Sequence, residues 1–162
     1  MNVPVNTPSI DDGDIKAVLD CVKSGWVSSQ GPYIESFEKS FADFMDCRYA
    51  ISVANGSAAL DVAIEALRLP KGSEVIIPNF TIFSPAISVI RAGLVPVFID
   101  VNIETCNAEV ETILSAVNKN TSAIIVVHTY GLTTDTEELI NQIKGTQIRI
   151  IEDCAEAHGI RT

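Results

Sequence analysis

The amino-acid sequence predicts an α/β fold in which a mainly parallel sheet is flanked by helices. The first observation is that, from residue 49 onward, short apolar runs alternate with amphipathic stretches, which is typical of strand–helix–strand units. The second is the composition, 47% hydrophobic and 20% charged over 162 residues, which indicates a folded protein with one domain or part of one. No internal repeat or low-complexity linker interrupts the pattern.

Two helices are predicted before the sheet. Residues 9–12 have the form of a capping box, in which Ser9 would cap the helix, and the pattern that follows ends at Gly25. Pro32 can open the second helix. The apolar residues that recur at helical spacing are Ile15, Val18, Leu19 and Val22 in the first helix, and Ile34, Phe37, Phe41 and Phe44 in the second.

Five strands and four helices are predicted in the remainder. The strands are residues 49–53, 74–77, 95–99, 123–127 and 148–151, and the helices lie near residues 57–67, 84–91, 108–117 and 135–143. We therefore expect residues 1–48 to form amino-terminal helices with a loop, and residues 49–162 to hold the first five strands of a larger domain.

Charge and composition exclude several classes of function. The chain has 21 acidic and 11 basic residues, and its formal net charge of −10 repels nucleic acids and anionic membranes. The amino terminus lacks the pattern of a secretory signal, so a cytoplasmic protein is the simplest interpretation. Its cysteines are too scattered for a metal site or a redox pair, so we expect them to be reduced: Cys21, Cys47, Cys106 and Cys154.

Candidate binding residues follow the predicted strands, because ligands of a parallel sheet bind at the carboxyl ends. Gly56 permits a tight turn after the first strand, and Ser57 can cap a helix whose free amides suit a phosphate. Turn chemistry alone favours an ordinary turn and cap at this position. After the second strand, Ser84 can cap a helix, while Phe80 and Phe83 would wall a pocket for a flat ligand or simply fill the core.

Two further strand ends carry groups suited to catalysis. His128 and Tyr130 follow the fourth strand and could serve in acid–base or hydrogen-bonding roles, although a lone His is more often structural or a substrate contact. Asp153 ends the fifth strand, where a carboxylate needs a cationic or hydrogen-bonding partner. A protonated pyridine nitrogen is one such partner, which points to pyridoxal phosphate, and an N-cap for the following segment is the alternative.

Seven segments together resemble the DegT/DnrJ/EryC1/StrS family of pyridoxal-phosphate-dependent sugar aminotransferases. The resemblance runs from about Pro4 to Thr162, and the segments that carry it occur in the family's order: residues 25–31, 37–38, 55–60, 72–78, 96–100, 127–131 and 152–159. It implies the large domain of the fold type I transferases, here incomplete and without the small domain.

The resemblance also implies roles for individual residues. In the family, the residues matching Ser57 and Ala58 hold the cofactor phosphate, with Gly56 beside them, while Asp153 would pair with the pyridine nitrogen and Glu156 would lie by the ring hydroxyl. Many members have Gln where this chain has Glu156. The residues expected to contact substrate are Trp26, Ser28, Ser29, His128, Tyr130 and His158.

Two departures from the family pattern affect these expectations. Where relatives usually carry an aromatic residue that stacks on the cofactor ring, this chain has Ile82, so stacking would be lost unless Phe83 compensates. None of its lysines stands in the context of the family's Schiff-base lysine: Lys16, Lys23, Lys39, Lys71, Lys119 and Lys144. In the family, the two strands that follow the Asp153 strand insert between it and the first strand of the sheet. Without them the sheet would have exposed strand edges, so we expect 162 residues alone to be marginally stable, or to be a fragment of a longer protein.

The sequence thus predicts part of an enzyme that transfers an amino group from glutamate to a nucleotide-linked keto sugar. Residues 25–31 and 152–159 look most similar to those of perosamine synthases, which act on a GDP-linked 4-keto-6-deoxy sugar, and the family works as homodimers. We expect no transamination by this chain alone, and aminated product from the purified chain would contradict that. The alternative is a non-catalytic fragment or pseudo-enzyme that binds a nucleotide sugar or a homologous subunit. A dinucleotide-binding oxidoreductase is disfavoured, since the first turn lacks G-x-G-x-x-G.

Overall fold

The computed structural model describes residues 7–160, and its contacts divide the chain into two compact units, Met1–Ser52 and Val53–Thr162. The first unit contains helices α1 (Asp12–Ser24) and α2 (Pro32–Phe44), both as predicted. No helix among the described residues is long and apolar enough to cross a membrane.

The second unit is a four-stranded parallel sheet with helices on both faces. Its strands are β1 (Glu74–Pro78), β2 (Val95–Ile99), β3 (Thr121–Val127) and β4 (Arg149–Asp153), in the order β2-β1-β3-β4. Its helices are α3 (Gly56–Ala66), α4 (Ser84–Arg91), α5 (Val110–Ala116) and α6 (Thr136–Gln142), with a short 3₁₀ turn at Thr129–Gly131. This arrangement confirms the predicted α/β class.

Alternate side chains of the strands build two separate cores. On one face, Ile77 and Ile125 pack with residues of α3 and α4, including Ile64 and Val89. The opposite face packs against α5 and α6; its buried residues include Ile76, Ile124, Val126, Ile113 and Leu139. Because both faces are covered, the strands are almost continuously apolar, which is why short apolar runs identified them.

The predicted strand at residues 49–53 is wrong: the structure has no strand there. Tyr49 and Ile51 are each 75% exposed. A strand requires a hydrogen-bonded neighbour, and within the described residues this segment pairs with none of the four strands. Its apolar and β-branched composition raised the propensity for a strand, but propensity alone does not form one.

Three predicted helix caps are also displaced. In α1 the capping box is formed by Asp11 and Asp14 rather than from Ser9, because two carboxylates make the same reciprocal bonds at the positive end of the helix. Asn55, not Ser57, caps α3. Ser84 is already the first residue of α4, and its hydroxyl lies 2.7 Å from that of Ser57, which connects the starts of the two helices.

Glu38 on α2 fixes the unpaired segment within the first unit. Its Oε1 accepts hydrogen bonds from the backbone N–H and the hydroxyl of Ser52, both at 2.8 Å. The backbone bond from Ser52, with help from the hydroxyl, lowers the pKa of Glu38 below 4.5. The bonds are therefore complete above about pH 4.5 and are lost as pH falls through the lowered pKa.

We predict that Glu38→Gln lowers the protection of the Ser52 amide against hydrogen exchange about threefold, because a neutral acceptor is weaker than a carboxylate. Protection in the unmodified chain should also decline as the solution is acidified below pH 4.5. Glu35→Gln, at an exposed position on the same helix, is the control. Equal protection in both variants would contradict this role of Glu38.

Candidate functional site

A pocket of about 370 Å³ opens at the carboxyl end of the sheet. The chain crosses from β1 to β2 on one side and then places β3 on the other side of β1, so the direction of winding reverses between β1 and β3. Connections diverge at such a switch point and leave a crevice. The pocket is lined by residues that follow β1, β3 and β4: Asn79, Phe80, Thr81, Ile82, Val127, His128, Thr129, Tyr130, Asp153, Ala155 and Glu156.

Asp153 ends β4 and lines this pocket. One of its carboxylate oxygens, Oδ1, accepts a hydrogen bond from the backbone N–H of Ala155 at 3.2 Å. The turn that follows is not a helix, so Asp153 is not a helix N-cap, although it closes a local turn of the same kind. That bond fixes the carboxylate through one oxygen, and the group still lines the pocket.

The segment after β1 forms an apolar wall. Phe80 and Tyr130 meet edge to face, with ring centroids 6.3 Å apart, and Ile82 continues the lining. Ile82 is 70% exposed and Phe83 is 66% exposed, so neither fills the core. Phe83 lies outside the pocket lining, although it is adjacent to Ile82 in the chain.

Glu156 and Tyr130 hold one another at the rim. Tyr130 has a left-handed backbone conformation, with φ 57°, which is unfavourable for a residue with a side chain. Its N–H donates to Oε2 of Glu156 at 2.7 Å. The carboxylate of Glu156 therefore stabilises the strained turn and at the same time lines the pocket.

His128 is a buried residue of the pocket lining, and both nitrogens of its ring are hydrogen-bonded. The N–H of Thr134 donates to Nδ1 at 3.3 Å, which leaves Nε2 to donate to Glu152 Oε2 at 3.0 Å. Glu152 also accepts the hydroxyl of Thr136 at 3.0 Å. This network favours the structural interpretation of His128 over acid–base catalysis.

The hydrogen bond with Cys154, and to a smaller extent the one with Glu152, raise the pKa of His128 to about 9, although burial alone would lower it. The hydrogen bond from His128 lowers the pKa of Glu152. Protonation of Nδ1 gives up the bond from Thr134, the longer of the two, in exchange for an ion pair with Glu152. Side-chain atoms of His128, Glu152 and Cys154 that could bind a metal ion lie within 4.8 Å of one another. However, Nε2 of His128 is already hydrogen-bonded to Glu152.

The proposed phosphate residues lie at the first turn of α3. Asn55 accepts a hydrogen bond from the Ala58 N–H at 2.9 Å, and its carbonyl accepts one from Ala59. The amides of Gly56 and Ser57 precede these bonds, in the positions where helix amides lack an intrahelical acceptor. The three residues do not line the pocket, but Ser57 contacts Ser84 at the end of the segment that walls it.

The remaining predicted substrate residues lie elsewhere in the chain. Trp26, Ser28 and Ser29 belong to the loop between α1 and α2 in the first unit. Gly31 in that loop has φ 138°, and a Cβ there would come within 3.1 Å of the Trp26 ring, so only glycine fits. His158 is exposed in the turn after β4 and does not line the pocket. The substrate role of these four residues stays a prediction.

Sequence reasoning missed Glu152 and Asn107. In the sequence, Asp153 already accounts for a carboxylate at the end of the strand, so Glu152 beside it gives no separate signal. Side chains alternate along β4, so the two carboxylates point to opposite faces, and Glu152 bonds to His128. Asn107 is 4% exposed and bonds to the backbone of Thr129. An asparagine inside a polar loop gives no signal of burial in the sequence.

Comparison with known proteins shows which family has this arrangement. Residues 8–162 match the DegT/DnrJ/EryC1/StrS aminotransferase family. The chain belongs to this family. It is 40% identical over 157 residues to a GDP-perosamine synthase from Vibrio cholerae, covering 97% of this chain and 43% of that protein.

Two solved structures share the fold. An aminotransferase from Psychrobacter cryohalolentis has a TM-score of 0.88 and 36% identity, covering 94% of this chain and 39% of that one. An E. coli GDP-4-keto-6-deoxy-D-mannose-3-dehydratase with bound hydrated PLP has a TM-score of 0.87 and 31% identity, covering 94% and 40%. The chain thus spans less than half the length of these relatives.

We predict that the free energy of unfolding falls between about pH 6 and pH 10, as His128 loses its proton. The expected decrease is on the order of 2 kcal/mol, which is typical of one hydrogen bond to a charged group. Because the pKa of His128 is raised, the contribution of its protonated form to stability is complete below about pH 6.5. That contribution is lost as pH rises through about 9. Denaturant titration at several pH values measures this.

Glu152→Gln should reduce this alkaline decline, because it removes one of the two contacts that raise the pKa of His128, while the contact with Cys154 stays. The lowered pKa of Glu152 also predicts an acid-side loss as pH falls below 4.5, and the variant should lack that loss too. Glu137→Gln, at an exposed position of α6, is the matched control. An unchanged alkaline decline in Glu152→Gln would refute the pairing.

Proposed function

We propose that the protein to which this chain belongs is a pyridoxal-phosphate-dependent aminotransferase. It transfers an amino group from glutamate to a GDP-linked 4-keto-6-deoxy sugar. The observation that carries the proposal is Asp153, a carboxylate placed by β4 beside an apolar wall in a pocket at the switch point of the sheet. Family membership and 40% identity to a GDP-perosamine synthase support the same activity.

The residues of the pocket fit the cofactor. When bound, pyridoxal phosphate supplies an electron-accepting ring that stabilises a carbanion on the substrate. Asp153 would hold the pyridine nitrogen protonated, and Ile82 and Phe80 would border the flat ring. Glu156 would lie at the ring hydroxyl, with one oxygen already fixed by the N–H of Tyr130.

The start of α3 suits the phosphate of the cofactor. The amides of Gly56 and Ser57 and the positive end of the helix dipole favour an anion, and the Ser57 hydroxyl can donate a further bond. The Ser57 contact with Ser84 ties this turn to the pocket wall. The N–H of Ala58 already donates to the Asn55 side chain, so Ala58 would help to hold the phosphate only by shaping the first turn of α3.

The substrate and the assembly are proposed on the family resemblance. Tyr130, at the pocket rim, would contact the sugar, with His128 buried behind it and His158 in the turn after β4. We propose a homodimer in which Trp26, Ser28 and Ser29 serve the site of the partner. The non-catalytic alternative predicts nucleotide-sugar binding without any amino transfer.

We predict that Asp153→Asn lowers the turnover number of the whole protein by about a hundredfold, because an amide does not hold the ring nitrogen protonated. The assay supplies glutamate and the GDP-linked keto sugar and follows the product mass, which distinguishes an amino sugar from a dehydrated one. Asp135→Asn is the control, since Asp135 caps α6 outside the pocket and Asn caps equally well. Absence of any amino sugar from the unmodified protein would overturn the proposed function.

We predict that Ile82→Phe strengthens cofactor binding about two- to tenfold, the worth of an aromatic contact. The exposed side chain at this position has room for a ring. Titration with pyridoxal phosphate, followed by absorbance, gives the dissociation constant. Ile103→Phe, at a position that is 94% exposed and outside the pocket lining, controls for added surface. Equal affinity in both variants would show that Ile82 does not face the ring.

A further inference from the structure

Asn107 is a buried side chain that closes on the backbone of the loop after β3. It lies before α5, is 4% exposed and does not line the pocket. Its Oδ1 accepts the Thr129 N–H at 2.8 Å, and its Nδ2 donates to the Thr129 carbonyl at 3.3 Å and to the Thr105 carbonyl at 2.9 Å. One side chain therefore fixes both backbone groups of Thr129.

Thr129 directly precedes the strained residue of the pocket rim. Tyr130 has φ 57° and Gly131 has φ 78°, two consecutive left-handed residues. Such a turn persists only where its surroundings hold it. Asn107 bonds to the backbone of Thr129 on one side of the turn, and Glu156 accepts the Tyr130 N–H at 2.7 Å on the other. A short chain of hydrogen bonds thus runs from Asn107 through Thr129 and Tyr130 to Glu156.

We propose that Asn107 is a positioning residue for the cofactor site: it sets the turn at Thr129 and Tyr130, and through the Tyr130 N–H it sets the direction of the Glu156 carboxylate. This inference rests on the proposed function. The Asn107 side chain lies outside the pocket lining. Its effect is carried by the backbone of Thr129, which itself lines the pocket.

The same loop offers a matched control. Asn102 also makes local bonds: its Oδ1 accepts the N–H groups of Glu104 and Thr105, and its Nδ2 donates to Glu109. None of these bonds reaches the turn after β3. Asn102→Ala therefore loosens the loop before α5 without removing a bond to the pocket rim.

The first measurement is hydrogen exchange at individual amides in the whole protein without cofactor. Asn107→Ala should raise exchange at Thr129 and Tyr130 about tenfold, corresponding to roughly 1.4 kcal/mol for a lost hydrogen bond, relative to Asn102→Ala. Glu156→Ala should raise exchange at Tyr130. The amides of the buried strand β1 are the internal control in the same variant: unchanged exchange at Ile76 and Ile77 shows that Asn107→Ala has opened the turn and has not failed to fold.

The second measurement is the dissociation constant of pyridoxal phosphate and the pH profile of the absorbance of the holoenzyme. Asn107→Ala should weaken binding about fivefold or more and shift the pH profile in the same direction as Glu156→Gln, while Asn102→Ala leaves both unchanged. A structural role alone would lower the melting temperature and leave the pH profile unchanged, and that result overturns the proposal.

The two measurements separate the proposal from the function on which it rests. If the unmodified protein binds no pyridoxal phosphate, the proposed function fails, and the role of Asn107 toward a cofactor fails with it. If the cofactor binds and amide exchange at Thr129 is equal in Asn107→Ala and Asn102→Ala, only the positioning role is overturned.

Discussion

The parallel direction of all four strands is the constraint on which the site depends. Because β1, β3 and β4 are neighbours and run the same way, the residues that follow each of them emerge at one edge of the sheet. Residues from three distant parts of the sequence are thereby brought to one pocket. The two cores on either face fix the strands, so the sheet supplies a rigid base for the loops above it.

The loops themselves are held by side chains rather than by regular structure. After β3 the backbone turns through two left-handed residues, and its polar groups find partners from other elements. Asn107 comes from the loop before α5, and Glu156 comes from the turn after β4. The bond from Asn107 to the buried N–H of Thr129 is costly to remove, since its loss leaves a buried donor unsatisfied. The pocket rim is therefore ordered by a few individual contacts.

The sequence was sufficient to predict the strands that are buried on both faces, because a fully covered strand must be apolar along its length. It was misleading at residues 49–53, where the same composition lies exposed and unpaired. Asp153 and Tyr130 were identifiable because they follow strands, and strand ends are where ligands bind. Asn107 and Glu152 were not, since their roles depend on distances across the fold. The caps of α1, α3 and α4 moved because neighbouring polar residues competed for the same amides.

Adjacent residues of β4 face opposite sides of the sheet, so the register of this strand decides which carboxylate lines the pocket. Register pairs Glu152 with Val126 and Asp153 with Val127, so Glu152 faces the core beneath α5 and α6 while Asp153 faces the other. A slip of one residue would exchange the two carboxylates and turn Ile151 toward the wrong layer. A single-residue insertion within β4 itself would thus remove Asp153 from the pocket while preserving every residue that lines it. Natural variation in length should accordingly be confined to the connection before β4, where a loop absorbs an added residue, and should be absent from the strand.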